Sequence, residues 1–219
     1  MTKTKSKKAP GRARRVLKKI LRLPKHLWDR ARLKNKDFSL ISMNCTGGMI
    51  YHELRLQFCS PTINLFFSAE DFVKLCSDLK GYLEKEVVEV ESPYPYPVGM
   101  LGDLTVHFMH YPTFAEAKRK WDERCARVNY DNVYLLMCDR DGCTEELARR
   151  FDAIGGVRGK VFYSYRRIDG VKSLAFVPDG EEDGQLRIIT GYRDGITGRK
   201  WFDAWDYVPC FNRKDDDGK

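Results

Sequence analysis

The 219-residue sequence has no apolar run of the roughly 18 to 20 residues that a membrane-spanning helix needs. Its basic beginning is not followed by the stretch of about 7 to 15 apolar residues that a secretory signal requires. The seven cysteines are an odd number without a CxxC pair, which disfavours both a disulfide framework and a structural zinc site. We therefore expect a cytoplasmic protein with reduced thiols.

Acidic residues are almost absent from residues 1–36, which hold 15 Lys or Arg and only Asp29. The rest of the chain carries a net charge of −6, although the whole sequence carries +8. Residues 12–34 place apolar side chains at helical spacing among basic ones, and Pro24 should kink or break that helix. Such a helix suits the anionic inner face of a membrane; the other interpretation is a solvated arm or one packed on the domain. Nucleic acid is not an expected partner, because the remaining chain is acidic and carries no nucleic-acid motif.

Beyond this basic segment, strand-like and helix-like patterns alternate. The stretch "NVYLLMC" (132–138) is typical of a buried strand, whereas the proline-rich stretch 93–103 favours an extended, exposed loop. The alternation predicts a three-layer α/β fold, in which a mostly parallel sheet is flanked by helices, with a β-rich C-terminal part. The predicted divisions are a basic amphipathic tail (1–36), a single α/β domain (37–211) and a disordered C-terminus (212–219).

Functional groups in such folds gather in the loops at the carboxyl ends of the strands, and the first of these loops is "NCTGG". Cys45 lies there before a predicted helix, whose N-terminus favours the thiolate form of a nucleophile. Gly47 and Gly48 allow positive φ and a close approach of a ligand to the backbone. Asn44 can donate to an oxyanion or cap the turn. The alternative for Cys45 is a small buried residue without chemistry.

The second loop, "DRDGCT", follows the 132–138 strand and places Asp139 and Asp141 on either side of Arg140. Two carboxylates in this position can hold Mg²⁺ or Mn²⁺ against the diphosphate of a nucleotide-sugar, and Arg140 can contribute to ligand binding. The alternative is structural: Asp141 caps the next helix, and Asp139 pairs with a basic group. The identity of any metal stays open.

Two histidines supply candidate bases in the predicted strand "LTVHFMHY" (104–111). His107 and His110 are three residues apart, so on a strand they face opposite sides and at most one addresses the site. Just upstream, Tyr94 and Tyr96 are candidates for stacking on a sugar ring.

Four motifs resemble a bacterial domain family of unknown function that is commonly labelled exopolysaccharide biosynthesis protein. The motifs are "SMNCTGG", "YPVGMLGDLTVHFMHY", "CDRDGCTEELARRFD" and "WFDAWDYVPCFN", in the order of the family, and the resemblance covers about residues 37 to 211. The sequence departs from the family at Met43, where Asn is usual, and at Thr46, where an aromatic residue is common. The resemblance implies a cytoplasmic role in making a cell-surface polysaccharide, with an activated sugar or polysaccharide precursor as partner.

Three functions fit these observations. The first is an acyl or related group transfer from a donor such as acyl-CoA, with Cys45 as nucleophile and His107 or His110 as base, which requires a histidine within hydrogen-bond reach of the thiol. The second is a glycosyl or phosphoglycosyl transfer from a nucleotide-sugar, with Mg²⁺ or Mn²⁺ on Asp139 and Asp141. The third is a non-catalytic accessory that docks through its basic tail on a membrane-bound synthesis complex.

Overall fold

The computed structural model describes residues 12–194 and 196–213, with side chains from Val16 onward. Residues 1–11 of the predicted tail and residues 214–219 of the predicted disordered end lie outside the described residues. In chain order the helices and strands are α1 (Arg12–Arg32), β1 (Ser39–Ser42), α2 (Thr46–Leu54), α3 (Ala69–Ser77), α4 (Leu79–Leu83), β2 (Val87–Val90), β3 (Val98–Leu101), β4 (Leu104–His107), α5 (Phe114–Cys125), β5 (Val133–Cys138), α6 (Glu145–Ala153), β6 (Gly159–Ser164), β7 (Leu174–Phe176), β8 (Glu181–Glu182), β9 (Gln185–Leu186) and α7 (Tyr207–Phe211), and short 3₁₀ segments cover Tyr130–Asn132 and Trp201–Ala204.

Four parallel strands form the central sheet, in the order β1-β5-β6-β7. All six residues of β5 are buried, as expected for a strand that is covered on both faces of a parallel sheet. A two-stranded antiparallel hairpin, β8–β9, lies in the C-terminal part. The structure therefore confirms the predicted α/β class with its mostly parallel sheet.

Helices and C-terminal segments cover opposite faces of this sheet. Phe162 and Tyr163 are adjacent in β6, so their side chains point to opposite faces. The ring of Phe162 packs against Phe151 of α6, with centroids 6.4 Å apart. On the other face, the Tyr163 hydroxyl donates to the carbonyl oxygen of Phe202 at 3.1 Å. This confirms the three predicted layers.

A second, antiparallel sheet of β2, β3 and β4 occupies part of the region predicted to be an exposed loop, residues 93–103. Only the proline-rich first half of that stretch is a loop, because β3 follows it directly. Val98 and Leu101 of β3 are buried, and Gly102 takes a left-handed φ of 64° at the turn into β4. The alternating prolines and tyrosines favoured a loop prediction for the whole stretch, although the apolar residues of β3 that follow them are part of the core.

Helix α1 is continuous across Pro24, contrary to the predicted kink or break. Pro24 is exposed, so the backbone hydrogen bond that proline cannot donate is missing on the solvent side of the helix. Contacts to the domain on both sides of Pro24, from Arg22 and Asp29, hold the helix in place. Within residues 12–194 and 196–213, no helix combines the length and the apolar content that crossing a bilayer demands.

A buried ion cluster attaches α1 to the domain. Arg22, whose side chain is 2% exposed, donates to both carboxylate oxygens of Glu53 at 2.7 and 2.6 Å and to Asp203 Oδ2 at 2.6 Å. The Nζ atom of Lys200 lies 2.9 Å from Glu53 Oε1. Burial alone lowers the pKa of Arg22, but its bonds to Asp203 and Glu53 raise that pKa above the usual range. Two cations and two anions are thus paired away from water.

Replacing Arg22 by methionine should destabilise the protein by about 3 to 5 kcal/mol, because removing one partner of a buried ion pair leaves the opposite charge uncompensated. Arg149→Met is the matched control: Arg149 is 52% exposed and pairs with Glu145 within one helix. An exposed pair of this kind contributes about 0 to 1 kcal/mol. Urea unfolding measures both changes, and an equal loss in the two variants would contradict the role of the buried cluster.

Candidate functional site

The two candidate loops are neighbours at the carboxyl edge of the parallel sheet. They follow β1 and β5, which pair directly, and the Met43 amide donates to the carbonyl oxygen of Leu136 at 2.9 Å. Burial raises the pKa of the Cys138 thiol to about 12, and the Asn44 side chain of the first loop opposes this rise. The loops "NCTGG" and "DRDGCT" are therefore neighbours at this edge of the sheet.

Cys45 does not have the environment of an activated nucleophile. Its Sγ atom lies 3.9 Å from the carbonyl oxygen of Leu65, to which the thiol donates. Burial raises the pKa of Cys45, so the expected thiolate is not favoured even though α2 begins at the next residue. Among the described residues, no histidine nitrogen is hydrogen-bonded to this sulfur. The base that the acyl-transfer hypothesis requires is missing from the contacts of Cys45.

The other residues of the first loop serve its packing. Asn44 Oδ1 accepts hydrogen bonds from the amide of Thr46 at 3.1 Å and from its hydroxyl at 2.7 Å, which is the capping role. Gly47 and Gly48 lie in α2, and neither uses the positive φ that glycine allows. A Cβ atom on Gly47 would lie 2.6 Å from Ser42 Cβ. Gly47 thus allows the close approach of α2 to β1 rather than that of a ligand.

In the second loop, Asp139 is committed to a structural ion pair. Its carboxylate is 2% exposed and accepts hydrogen bonds from Ser164 Oγ at 2.8 Å and from Arg166 Nε at 2.9 Å. Arg166 Nη2 adds a bond to the second carboxylate oxygen at 3.2 Å. The basic partner that the alternative interpretation required is therefore Arg166, which follows β6.

Asp141 has a left-handed backbone conformation in the second loop, with φ at 54°. Its carboxylate pairs with Arg140 Nε at 3.0 Å, and its carbonyl oxygen accepts the amide of Ala69 at 2.9 Å. The helix cap that sequence assigned to Asp141 belongs to Thr144, whose hydroxyl accepts the amide of Leu147. Asp141 thus connects the second loop to the start of α3.

The described residues contain no group of three or more His, Cys, Asp or Glu side chains placed to hold a metal ion. The carboxylates of Asp139 and Asp141 instead have guanidinium partners, Arg166 and Arg140. A bound cation would have to displace or share these contacts. Within this part of the chain, the arrangement gives the Mg²⁺ or Mn²⁺ hypothesis no further ligand.

The two candidate histidines separate because the strand is shorter than predicted. β4 ends at His107, and His110 lies beyond it with an exposed side chain. The argument that they face opposite sides of one strand therefore does not apply. The His110 amide donates to the carbonyl oxygen of Asn64 at 3.3 Å, and among the described residues its imidazole has no hydrogen bond to either loop.

His107 lies in a cluster of aromatic rings and carboxylates. Its imidazole stacks on Phe66 at 4.4 Å and meets the edges of Tyr94 at 5.2 Å and Tyr96 at 6.1 Å. Its Nδ1 atom is buried without a hydrogen-bond partner in the described part of the chain. Burial lowers the pKa of His107, and the negative charges of two nearby carboxylates oppose this effect. The carboxylates are those of Asp71 and Asp141.

A shallow groove of about 740 Å³ runs beside this cluster, between the end of β2, the tyrosine loop and the start of α5. Tyr94 and Tyr96 stack 5.1 Å apart with rings inclined by 9°, and Tyr94 remains 50% exposed. The exposed carboxylates of Glu89 and Glu91 border the groove and have no ion-pair partner among the described residues. We call His107, Phe66, Tyr94, Tyr96, Asp71 and Asp141 the His107 cluster.

The structure therefore brings together only some of the predicted site residues. His107 contacts the two tyrosines, and burial lowers its pKa against the opposing charge of Asp141, whereas Cys45 and Asp139 contact other groups. Asp71 was missed because an acidic residue after the Ser68 cap is ordinary for a helix N-terminus. Asp71 could have been found only from the contact between α3 and the second sheet. It accepts the amide of Thr105 at 3.3 Å, and Thr105 lies two residues before His107 in β4.

Substituting Gly47 by alanine should destabilise the protein by about 1 to 3 kcal/mol, because the new methyl group would overlap Ser42. Gly155→Ala is the matched control, since a Cβ atom there meets nothing within 4 Å and the residue has no left-handed φ. Urea unfolding compares the two. A Gly47→Ala variant as stable as its control would show that α2 has room to move from β1.

Cys45 should react with iodoacetamide at neutral pH more slowly than a free thiol such as glutathione. The physical reason is its raised pKa, which reduces the thiolate fraction, together with its partial burial. Mass spectrometry of digested protein after timed alkylation gives the rate, which should rise as the pH approaches the pKa of the thiol. Rapid modification at neutral pH would instead restore the nucleophile hypothesis.

Comparison with known proteins identifies relatives without supplying an activity. A family model described as "Domain of unknown function (DUF1919)" matches residues 16–212, so the match includes most of α1. An uncharacterized protein of Haemophilus influenzae is 36% identical over 181 residues, which cover 83% of this chain and 87% of the relative. The chain belongs to this family of unknown function, DUF1919.

Proposed function

We propose that the protein acts in the synthesis of a cell-surface polysaccharide, at the inner face of the membrane, by transferring a group to or from a sugar precursor bound at the His107 cluster. The observation that carries the proposal is the position of His107 against a stacked pair of tyrosines, with a buried Nδ1 atom that has no hydrogen-bond partner among the described residues. An aromatic platform beside a proton-accepting group and negative charges is what a reaction at a sugar hydroxyl requires.

The tyrosines supply the binding surface. The flat face of a sugar ring is lined by C–H groups, which pack on the face of an aromatic ring, and the half-exposed ring of Tyr94 offers such a face. Glu89 and Glu91 border the same groove and can accept hydrogen bonds from sugar hydroxyls. An open groove with a few polar groups around an apolar platform is typical of a ligand site.

His107 supplies the proton acceptor. Burial lowers the pKa of His107, which favours the neutral imidazole, and a neutral imidazole has one nitrogen that can accept a proton. In the proposed step, the hydroxyl oxygen of the sugar forms a bond to the transferred group of an activated donor, the bond between that group and its carrier breaks, and the hydroxyl proton moves to His107. Asp71 and Asp141 then stabilise the imidazolium by their charge.

The polysaccharide setting is supported only by the resemblance of four sequence motifs. The matched family and the Haemophilus influenzae relative are described without a function and add no support to it. The reaction class is supported by the cluster alone. Transfer through a Cys45 acyl-enzyme has weaker support, because burial disfavours the thiolate. Metal-assisted transfer at Asp139 also has weaker support, because the Asp139 carboxylate is already paired with Arg166.

Tyr94→Ala should weaken saccharide binding about tenfold or more, because the stacking face is lost. Saturation-transfer NMR and calorimetry with a panel of monosaccharides, nucleotide-sugars and acyl-CoA measure binding. Tyr130→Ala is the matched control, since Tyr130 is 40% exposed but lies in the 3₁₀ segment before β5. If no saccharide binds the native protein, or the control loses as much affinity, the proposal fails.

The role of His107 is tested separately from binding. His107→Gln should leave saccharide affinity within about threefold but remove turnover of any donor and acceptor pair found in the panel, a loss of at least about 100-fold. NMR titration should give His107 a pKa below the usual 6.5 or so, and Asp71→Asn should lower it further by removing a charge that raises it. Turnover that persists without His107 would show that His107 is not the base, whereas saccharide binding without turnover by the native protein would leave a binding protein of the accessory type.

A further inference from the structure

Helix α1 is docked on the domain by its charged face. Besides Arg22, the buried Asp29 accepts a hydrogen bond from the Tyr207 hydroxyl at 3.0 Å. Arg30 Nε donates to the carbonyl oxygen of Glu53 at 2.8 Å. These charged side chains come from one side of the helix, and the side that normally faces solvent is therefore the side in contact with the protein.

The opposite side of α1 is apolar and faces outward. Seven of the 13 large apolar side chains that are exposed in the described residues belong to this helix. Their spacing of three and four residues places them along one stripe. The α1 apolar face consists of Val16, Leu17, Ile20, Leu21, Leu23, Leu27 and Trp28, and these side chains are between 38% and 63% exposed.

A neighbouring loop extends the exposed apolar surface beside this helix. The Gly198 carbonyl oxygen accepts a hydrogen bond from Arg22 at 3.1 Å, so the loop around it touches α1. Two residues earlier in that loop, Ile196 is 80% exposed. An apolar area of this extent, on a helix whose polar side is already engaged, marks an interaction surface.

The charge of the segment selects the kind of partner. Residues 1–36 carry 15 basic residues and one acidic residue, so the segment that bears the apolar stripe is strongly basic. A second copy of the chain would bring an equally basic helix against this one, and the charges would repel. A surface with an apolar interior and negative headgroups complements both properties of α1.

We propose that the α1 apolar face inserts into the interfacial layer of an anionic membrane, with the helix lying in the membrane plane and the ion cluster at Arg22 holding the domain against it. The helix does not span the bilayer, because its charged side is bound to the domain. This inference rests on the proposed function only for the location at the membrane, and it specifies the kind of membrane surface that the protein binds. It makes no use of the saccharide site.

Flotation of the full chain with vesicles tests the proposal. Binding should be strong with vesicles that contain phosphatidylglycerol, weak with phosphatidylcholine alone, and reduced by salt. Leu27→Ser and Ile20→Ser should each weaken binding to anionic vesicles about tenfold, because a buried apolar side chain is removed. Both residues are exposed, so the variants should fold, and circular dichroism verifies this.

Ile188→Ser is the matched control, since Ile188 and Leu27 are both 63% exposed but Ile188 lies outside α1. It should bind vesicles like the native protein. Equal binding by Leu27→Ser and the native protein would show that charge alone attracts the chain, and the apolar-face proposal would be overturned. It would also be overturned by a dimer in sedimentation that Leu27→Ser dissociates, since a second copy would then cover the face. A protein that binds vesicles but no saccharide would retain this inference while the saccharide proposal fails.

Discussion

The buried guanidinium of Arg22 connects three distant parts of the chain. It pairs with Glu53 at the end of α2 and with Asp203 in the C-terminal 3₁₀ segment, 31 and 181 residues away in sequence. Because Lys200 also pairs with Glu53, the cluster is electrically balanced without water. The position of α1, and therefore which of its sides meets solvent, depends on this set of contacts.

The carboxyl edge of the sheet shows how far the placement of a loop determines chemistry. The two candidate loops are neighbours, yet most of their polar groups bind one another or adjacent segments. Asp139 holds Arg166, and Asn44 caps its own turn. The least satisfied polar group in this neighbourhood is His107, with an enclosed Nδ1 atom and no partner among the described residues. A buried polar group without a partner requires an explanation, such as a catalytic role, whereas the fold itself accounts for a paired one.

Most of the central sheet was predictable from the sequence because its signal is local. The apolar run of β5 and the caps of α3 and α5 lie within a few residues of the elements they define. The site was less predictable, since the burial of Cys45 depends on Leu65 and the environment of His107 on Phe66 and Asp71. Such contacts join segments 20 to about 40 residues apart and leave no periodic trace. Periodicity predicted the apolar stripe on α1, but it did not predict which side of the helix contacts the domain.

The orientation of α1 follows from the surface beneath it. Turning the helix by half a revolution would place its leucines over the carboxylates of Glu53 and Asp203, which are 3% and 5% exposed, rather than over an apolar surface. It would also remove Arg22 from Glu53 and Asp203, and an uncompensated buried charge costs about 3 to 5 kcal/mol. The hydrogen bond of Tyr207 to Asp29 would be lost as well. The domain surface therefore selects the charged side of α1, and within the described part of the chain the apolar side stays exposed.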